Sequence, residues 1–99
     1  MKKVIIKEFI NSNTAISYDD GIRCKEEILK YIEEDVVVLD FQGVEFAITA
    51  FLNPVIGDLI LEKGKSIMAK IQIENCSNDI IQKIMIVKNG ALMKRDNKN

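Results

Sequence analysis

The sequence predicts a small α/β domain: a two-layer sandwich with elements in the order βαβαβα, in which helices cover a mixed or parallel sheet. Three observations support this class. Residues 36–39 form an unbroken apolar run, which is typical of a central strand covered on both faces. Segments with apolar residues spaced by three and four alternate with β-prone runs. The connections are too short for a larger doubly wound fold.

Length and composition predict one ordinary globular domain. The chain has 99 residues, enough for a single core, and we expect residues 1–93 to form the domain and 94–99 a disordered tail. The net charge is −1, with 47% apolar and 29% charged residues, so no basic surface for nucleic acid is predicted. No apolar run approaches the roughly 20 residues of a membrane span, and the N-terminus lacks signal-peptide features. We therefore expect a cytoplasmic protein that binds neither nucleic acid nor membrane.

The first strand and helix follow from propensity and capping signals. Lys3 to Ile10 is β-prone, and the charges at Lys7 and Glu8 are typical of a strand near a sheet edge. Ser17 or Asp19 can cap the first helix. The predicted buried stripe of this helix contains Ile22, the stem of Lys25, Ile28, Leu29 and Ile32.

The second helix is predicted to run from Ala50 or Asn53 to Glu62, and its start has two alternatives. If Thr49 caps the helix, Pro54 distorts its first turn, because proline has no N–H to donate. If Asn53 caps the helix, Pro54 takes the favoured first position. In both cases Thr49 lies beside the positive end of the helix dipole.

A third strand and a third helix complete the pattern. The strand is predicted from alternation, with Gly64 ending the helix before it and Ile67, Ala69, Ile71 and Ile73 on the covered face. Ser77 is the predicted cap of the last helix, and Gly90 ends or loosens it. The buried side of this helix is predicted to contain Ile80, Ile81, Ile84, Met85 and Val87.

Residue types that support catalysis or metal binding are scarce. The chain has no histidine, which removes the usual zinc sites and any imidazole base for a nucleophile. Cys24 and Cys76 lack the close spacing of a metal knuckle or a redox pair. We therefore expect no enzyme, no metal and no cofactor.

The turn after the central strand carries the candidate functional residues. Asp40 stands at the carboxyl end of that strand, where functional crevices of open α/β sheets form, or else it stabilises the turn. Asn53 is a candidate contact with a helix-cap alternative. Apolar side chains surround the same turn, and an exposed subset of them would form a partner patch, whereas buried members belong to the core. They are Phe46, Phe51, Leu52 and Ile56.

A family resemblance covers nearly the whole chain. The segment LDFQGVEFAITAFLNPVIGDL, residues 39–59, resembles the signature of the STAS-like domains called DUF4325, with an LDF-x-G-V strand end, a Ser/Thr-rich turn and an FLN-x-x-IG-x-L helix. SYDDGIRCKEEI resembles the first helix of the family. IQIENCSNDIIQKI resembles its last strand and the beginning of its last helix.

The resemblance implies a function for the turn at Thr49. STAS domains proper include anti-sigma-factor antagonists, which bind a GHKL-type kinase and are switched by phosphorylation of a Ser or Thr in an Asp-Ser-Ser-Gly-like turn. By position, Thr49 stands at the phospho-acceptor, Ile48 at the Asp, Ala50 at the second Ser and Phe51 at the Gly. The alternative is that Thr49 only caps the helix.

The resemblance thus implies a non-catalytic regulatory module that docks a protein partner through the turn and helix around Thr49. The candidate contacts are Asp40, Phe46, Ile48, Thr49, Phe51, Leu52 and Asn53. One alternative is a small-ligand or nucleotide sensor, although the chain has no Gly-rich phosphate loop. Another is an accessory protein of a phage or mobile element that intercepts a host complex.

Overall fold

A computed structural model of the chain describes residues 1–96, which form two small parallel sheets with helices packed around them. The strands are β1 (Lys2–Ile5), β2 (Thr14–Ala15), β3 (Val37–Asp40), β4 (Phe46–Ala47) and β5 (Ile71–Glu74). The α-helices are α1 (Ile6–Ile10), α2 (Tyr18–Tyr31), α3 (Thr49–Leu52), α4 (Leu59–Lys63) and α5 (Asn78–Asp96). A π-helical stretch, Asn53–Asp58, joins α3 to α4, and a 3-10 helix, Lys65–Lys70, leads into β5.

The predicted α/β class is confirmed, and the main sheet is parallel. Its strand order is β1-β3-β5, so the apolar strand is central and β1 is an edge strand, both as predicted. Val37 and Leu39 face one core that also contains residues of α2 and α5. Val38 and Asp40 point to the opposite face of the sheet. There Val38 has Lys3 and Gln72 as its register neighbours, so that face is more polar.

The predicted strand from Lys3 to Ile10 is wrong in its second half, because the chain turns into α1 after Ile5. Ile6 and Ile10 are buried four residues apart, whereas Lys7 and Glu8 are exposed. The charges that indicated an edge strand therefore lie on the solvated side of a short helix.

Helix α2 begins as predicted, since the Ser17 hydroxyl accepts a hydrogen bond of 3.2 Å from the Asp20 N–H. Its buried stripe differs from the prediction, because Gly21 and Cys24 are buried and Ile22, Lys25 and Leu29 are only half-buried. A Cβ on Gly21 would lie 2.5 Å from the Phe51 carbonyl oxygen and 2.6 Å from Cγ of Pro54. Small side chains thus allow close packing of α2 against the next helical segment.

The second helical segment is continuous from Thr49 to Lys63. Its N-cap is Ile48, which has an extended backbone and whose carbonyl accepts the Phe51 and Leu52 N–H groups. Thr49 is therefore the first helical residue, and neither Thr49 nor Asn53 is the cap. Pro54 has no N–H to donate to the preceding turn, and the helix widens into the π-helical stretch there.

The third strand is shorter than predicted. Helix α4 ends before Gly64, whose φ is 92°, as the sequence indicated. The next residues form the 3-10 helix, so β5 begins at Ile71 and not at Ile67. The apolar alternation of residues 67–73 therefore predicted too long a strand.

Helix α5 begins after Ser77, whose hydroxyl accepts a hydrogen bond from the Ile80 N–H as predicted. Gly90 neither ends nor interrupts the helix, which continues to Asp96. Arg95 donates a hydrogen bond of 2.7 Å to the Leu61 carbonyl at the end of α4. Residues 94–96, which were predicted to belong to a disordered tail, are therefore the last residues of α5. The rest of the predicted tail, residues 97–99, lies outside the described residues.

Candidate functional site

The two-stranded ribbon of β2 and β4 exposes apolar side chains next to Thr49. Ala15 and Ala47 pair in parallel register and are fully buried. Since side chains alternate along a strand, the residues directly beside Ala15 and Ala47 point outward. Phe46 lies in β4, Ile16 and Ile48 directly follow β2 and β4, and Tyr18 is the first residue of α2. The exposed fractions are 53% for Ile16, 56% for Tyr18, 56% for Phe46 and 38% for Ile48. We call these four residues the apolar patch.

A groove of about 440 Å³ lies between the helical segment 49–63 and α5, and Thr49 is one of its lining residues. It is lined by Thr49, Asn53, Gly57, Asp58, Leu61, Ile86, Val87, Gly90, Ala91 and Lys94. Apart from the neighbouring residues and backbone of α5 itself, nothing in residues 1–96 lies within 4 Å of a Cβ built on Gly90, so the groove is open there. Thr49 is exposed, directly follows Ile48 of the apolar patch and lines this groove, so it adjoins both surfaces.

The structure divides the predicted contact residues into an exposed and a buried group. Phe46, Ile48, Thr49 and Asn53 are exposed, and Asn53 lines the groove. Phe51 and Leu52 are fully buried in the hydrophobic core, and Ile56 is only 1% exposed. Their side chains hold the helical segment in place and do not contribute to the exposed surface.

Asp40 is 5% exposed and is held by hydrogen bonds within the fold. Its Oδ1 accepts hydrogen bonds from the Gln42 N–H at 2.9 Å and from Nδ2 of Asn75 at 3.0 Å. Nζ of Lys3 lies 3.7 Å from its Oδ2. The Asn75 and Gln42 hydrogen bonds, with Lys3 nearby, hold the pKa of the Asp40 carboxyl below its usual value. These contacts correspond to the turn-stabilising alternative for Asp40.

Sequence reasoning missed Ile16 and Tyr18 in the apolar patch, as well as Ile86 on the groove. The sequence carried no local signal for Ile16, because Ala15 and Ile16 are both apolar and a strand of two residues is too short to recognise. Ile86 is 65% exposed on a helix whose opposite side is buried. Apolar residues occur on several sides of α5, so the sequence does not show which of them pack against the core and which are exposed to solvent.

The two thiols and the acidic side chains are the remaining groups that could support chemistry in the described residues. Burial raises the pKa of Cys24 to about 12 and that of Cys76 to about 11, so both thiols are protonated at neutral pH. Within residues 1–96, no three Cys, Asp or Glu side chains lie close enough to hold a metal ion. No helix in this range is both long enough and apolar enough to span a membrane.

The fold and this surface define a small parallel α/β domain in which an exposed apolar patch and a helix-lined groove both adjoin Thr49. The family model of the STAS-like domain of unknown function, DUF4325, matches residues 20–80, and the chain belongs to this family. The match includes β3, β4, Thr49 and the whole helical segment up to Lys63. No curated protein matches the chain, and no solved structure matches it.

Proposed function

We propose that the protein is a regulatory module that binds a protein partner through the apolar patch, Thr49 and the adjoining groove. The observation that carries this proposal is the position of Thr49, which is exposed at the first turn of a helix beside exposed Ile48. Contiguous apolar side chains on a small domain are typical of interaction sites. Membership of the STAS-like family supports the same function.

We further propose that phosphorylation of Thr49 releases the partner. A phosphate adds about −1.5 to −2 charge at neutral pH. At Thr49 it would stand between Ile48 and the groove wall that contains Ile86 and Val87. A partner that covers these apolar groups would have to desolvate the phosphate, which opposes binding. The resemblance to anti-sigma-factor antagonists suggests a GHKL-type ATPase or kinase as both partner and phosphate donor.

We propose that the module has no catalytic activity of its own. The chain has no histidine, and both thiols have raised pKa values. Asp40 accepts two hydrogen bonds inside the fold, and its lowered pKa does not suit a general acid at neutral pH.

The test begins with a pull-down of the tagged protein from its native lysate. Mass spectrometry identifies the partners and the modification state of Thr49. The purified partner is then titrated with wild type, Thr49→Ala and Thr49→Glu. Ser66→Glu is the matched control, because it adds the same charge at an exposed position beyond the far end of the helical segment.

We expect Thr49→Ala to bind like wild type and Thr49→Glu to lose binding, while Ser66→Glu keeps it. Equal affinity of wild type and Thr49→Glu would contradict the switch. A stable partner with unmodified Thr49 in every growth condition would indicate a docking subunit without phosphorylation.

A small-ligand sensor is the second candidate, favoured by an apolar cavity at the end of β5. This cavity of about 420 Å³ is lined by Ile73, Asn75, Cys76, Ile81, Ile84 and Met85. Its mainly apolar lining with few polar groups is typical of small-molecule sites. Thermal melting with a nucleotide panel and with small apolar compounds tests this function, and an unchanged melting temperature throughout would rule against it.

A further inference from the structure

The charges around the apolar patch specify the partner more closely. We propose that the patch binds a protein segment with an apolar contact face flanked by lysine or arginine side chains. This inference rests on the proposed function, because it gives the chemistry of the partner for the same surface.

The apolar patch consists of two aromatic and two aliphatic side chains. Tyr18 and Phe46 are each 56% exposed, and Ile16 is 53% exposed. Aromatic side chains supply a large apolar contact area and are enriched among the residues that dominate binding energy. The ribbon below them is anchored by fully buried Ala15 and Ala47, so the patch is presented on a fixed support. The contact face of the partner is therefore apolar.

The charged residues next to the patch in sequence are all acidic. Between Asn11 and Ile22 the charged residues are Asp19 and Asp20, and between Phe41 and Leu61 they are Glu45 and Asp58. Asp20 is already paired with Arg23 at 2.8 Å. Asp19 and Glu45 are exposed, directly beside Tyr18 and Phe46 in sequence. No ion pair within residues 1–96 involves either of them.

The cations near this surface form no ion pair with Asp19 or Glu45 within residues 1–96. Lys7 lies against Gly43, and the guanidinium of Arg23 is shared between Asp20 and the Phe9 carbonyl. Lys94 lines the α5 wall of the groove. Asp19 and Glu45 therefore remain available for a partner, and opposite charges on that partner would guide its approach and orientation.

The acidic residues also decide between classes of partner. A symmetric contact between two copies would bring the same acidic groups together, which repel. Nucleic acid and anionic lipid surfaces are repelled for the same reason. A segment with basic flanks gains from the same charges, so it is the partner that this surface fits.

The test uses two fluorescein-labelled synthetic peptides of equal length, each with the same leucines at helical spacing. One peptide carries lysine and the other carries glutamate at all remaining positions. Binding is measured by fluorescence anisotropy at low and at physiological salt. Four proteins are compared: wild type, Phe46→Ser, the double variant Asp19→Lys and Glu45→Lys, and the double variant Glu26→Lys and Glu34→Lys.

The last variant is the matched control for net charge. Glu26 and Glu34 are exposed and lie towards and beyond the C-terminal end of α2, whereas Tyr18 is its first residue. Circular dichroism verifies that all variants are folded. Since the substituted side chains are exposed, we expect them to fold like wild type.

We expect wild type to bind the lysine peptide about tenfold more tightly than the glutamate peptide. Reversal at Asp19 and Glu45 should invert this preference, whereas reversal at Glu26 and Glu34 should largely keep it. Phe46→Ser should weaken binding of the lysine peptide at both salt concentrations. Equal effects of the two charge reversals, a preference for the glutamate peptide, or no binding of the lysine peptide would overturn the inference.

The failure of this inference and that of the proposed function give different results with the partner from the pull-down. If Phe46→Ser abolishes binding of that partner but the charge reversal at Asp19 and Glu45 does not, the apolar patch is the binding surface and the inferred preference for basic flanks is wrong. If the partner binds Phe46→Ser and Thr49→Glu as tightly as wild type, the proposed function fails as well.

Discussion

The side chains of Asp40 and Asn75 join the carboxyl ends of two neighbouring parallel strands. Nδ2 of Asn75 donates a hydrogen bond of 3.0 Å to Oδ1 of Asp40. The same oxygen accepts the Gln42 N–H, so one carboxylate holds the turns that follow both β3 and β5. Asn75 has a φ of 54°, a left-handed conformation that asparagine tolerates better than most residues.

Removing the Asp40 carboxylate should therefore destabilise the fold. Asp40→Ala leaves the Gln42 N–H and the Asn75 amide without their acceptor, and we expect a loss of about 1–3 kcal/mol in the free energy of unfolding. Asp40→Asn keeps an acceptor oxygen and should lose less. Urea unfolding at neutral pH compares the two variants, and equal losses would show that the hydrogen bonds to Oδ1 contribute little.

The lowered pKa of Asp40 predicts an acid-dependent part of the stability. The folded-state pKa lies below the ordinary value of 3.8. The contribution is therefore fully present above that value and is lost as the pH falls through the folded-state pKa. Unfolding free energies measured between pH 6 and pH 2 should decline less steeply in Asp40→Asn than in wild type. Parallel pH profiles would contradict this assignment.

Gly21 and Gly90 should respond in opposite directions to the same substitution. In Gly21→Ala the new methyl group meets the Phe51 carbonyl 2.5 Å away, so α2 must move, at a cost of about 1–3 kcal/mol. In Gly90→Ala the methyl group meets no atom within 4 Å in residues 1–96 apart from the adjacent residues and backbone of α5. The helix should therefore gain about 0.5–1 kcal/mol from the better propensity of alanine. Chemical unfolding of both variants measures the difference. Stabilisation by Gly21→Ala would refute the close packing of these helices.

The sequence predicts the elements with strong periodicity and misses those that depend on distant contacts. The apolar run of β3 and the capping residues Ser17 and Ser77 are local signals, and all are confirmed. The buried face of α2 is set by Gly21, which packs against Phe51 thirty positions away. The spacing of the large apolar residues predicted a different buried stripe on α2. A close contact between two helices at a glycine cannot be recognised from local spacing.

Two predicted boundaries failed because short segments fit more than one structure. Ile6 and Ile10 are four residues apart, a spacing that fits one face of a short helix and also one face of a β-strand. Ile67 and Ala69 continue the odd-numbered apolar spacing of Ile71 and Ile73, yet they belong to the 3-10 helix before β5. At the site, Phe46 and Ile48 were predictable from the turn, whereas Ile16 joins them only because β2 pairs with β4.

Ser17 directly precedes α2 and Thr49 is the first residue of α3, but only Ser17 should stabilise its helix as a cap. The Ser17 hydroxyl accepts the Asp20 N–H, so Ser17→Ala should cost about 0.5–2 kcal/mol. Thr49 is exposed and follows the cap residue Ile48, so Thr49→Ala should change the stability by less than about 0.5 kcal/mol. Thermal unfolding of the two variants separates these roles. A large loss of stability in Thr49→Ala would support the capping role of Thr49 and would count against Thr49 as a residue that only contacts a partner.

Arg95 and Lys94 are neighbours near the end of α5, and only Arg95 should stabilise the contact with α4. Nη1 of Arg95 donates a hydrogen bond of 2.7 Å to the Leu61 carbonyl, one of the last carbonyls of α4, which lack a partner within their own helix. Arg95→Ala should cost about 0.5–1.5 kcal/mol and speed amide exchange in the last turns of α5. Lys94→Ala removes an exposed cation on the groove and should leave both quantities close to wild type. Urea unfolding with hydrogen exchange measures both variants, and equal behaviour would show that the end of α5 is not held by this hydrogen bond.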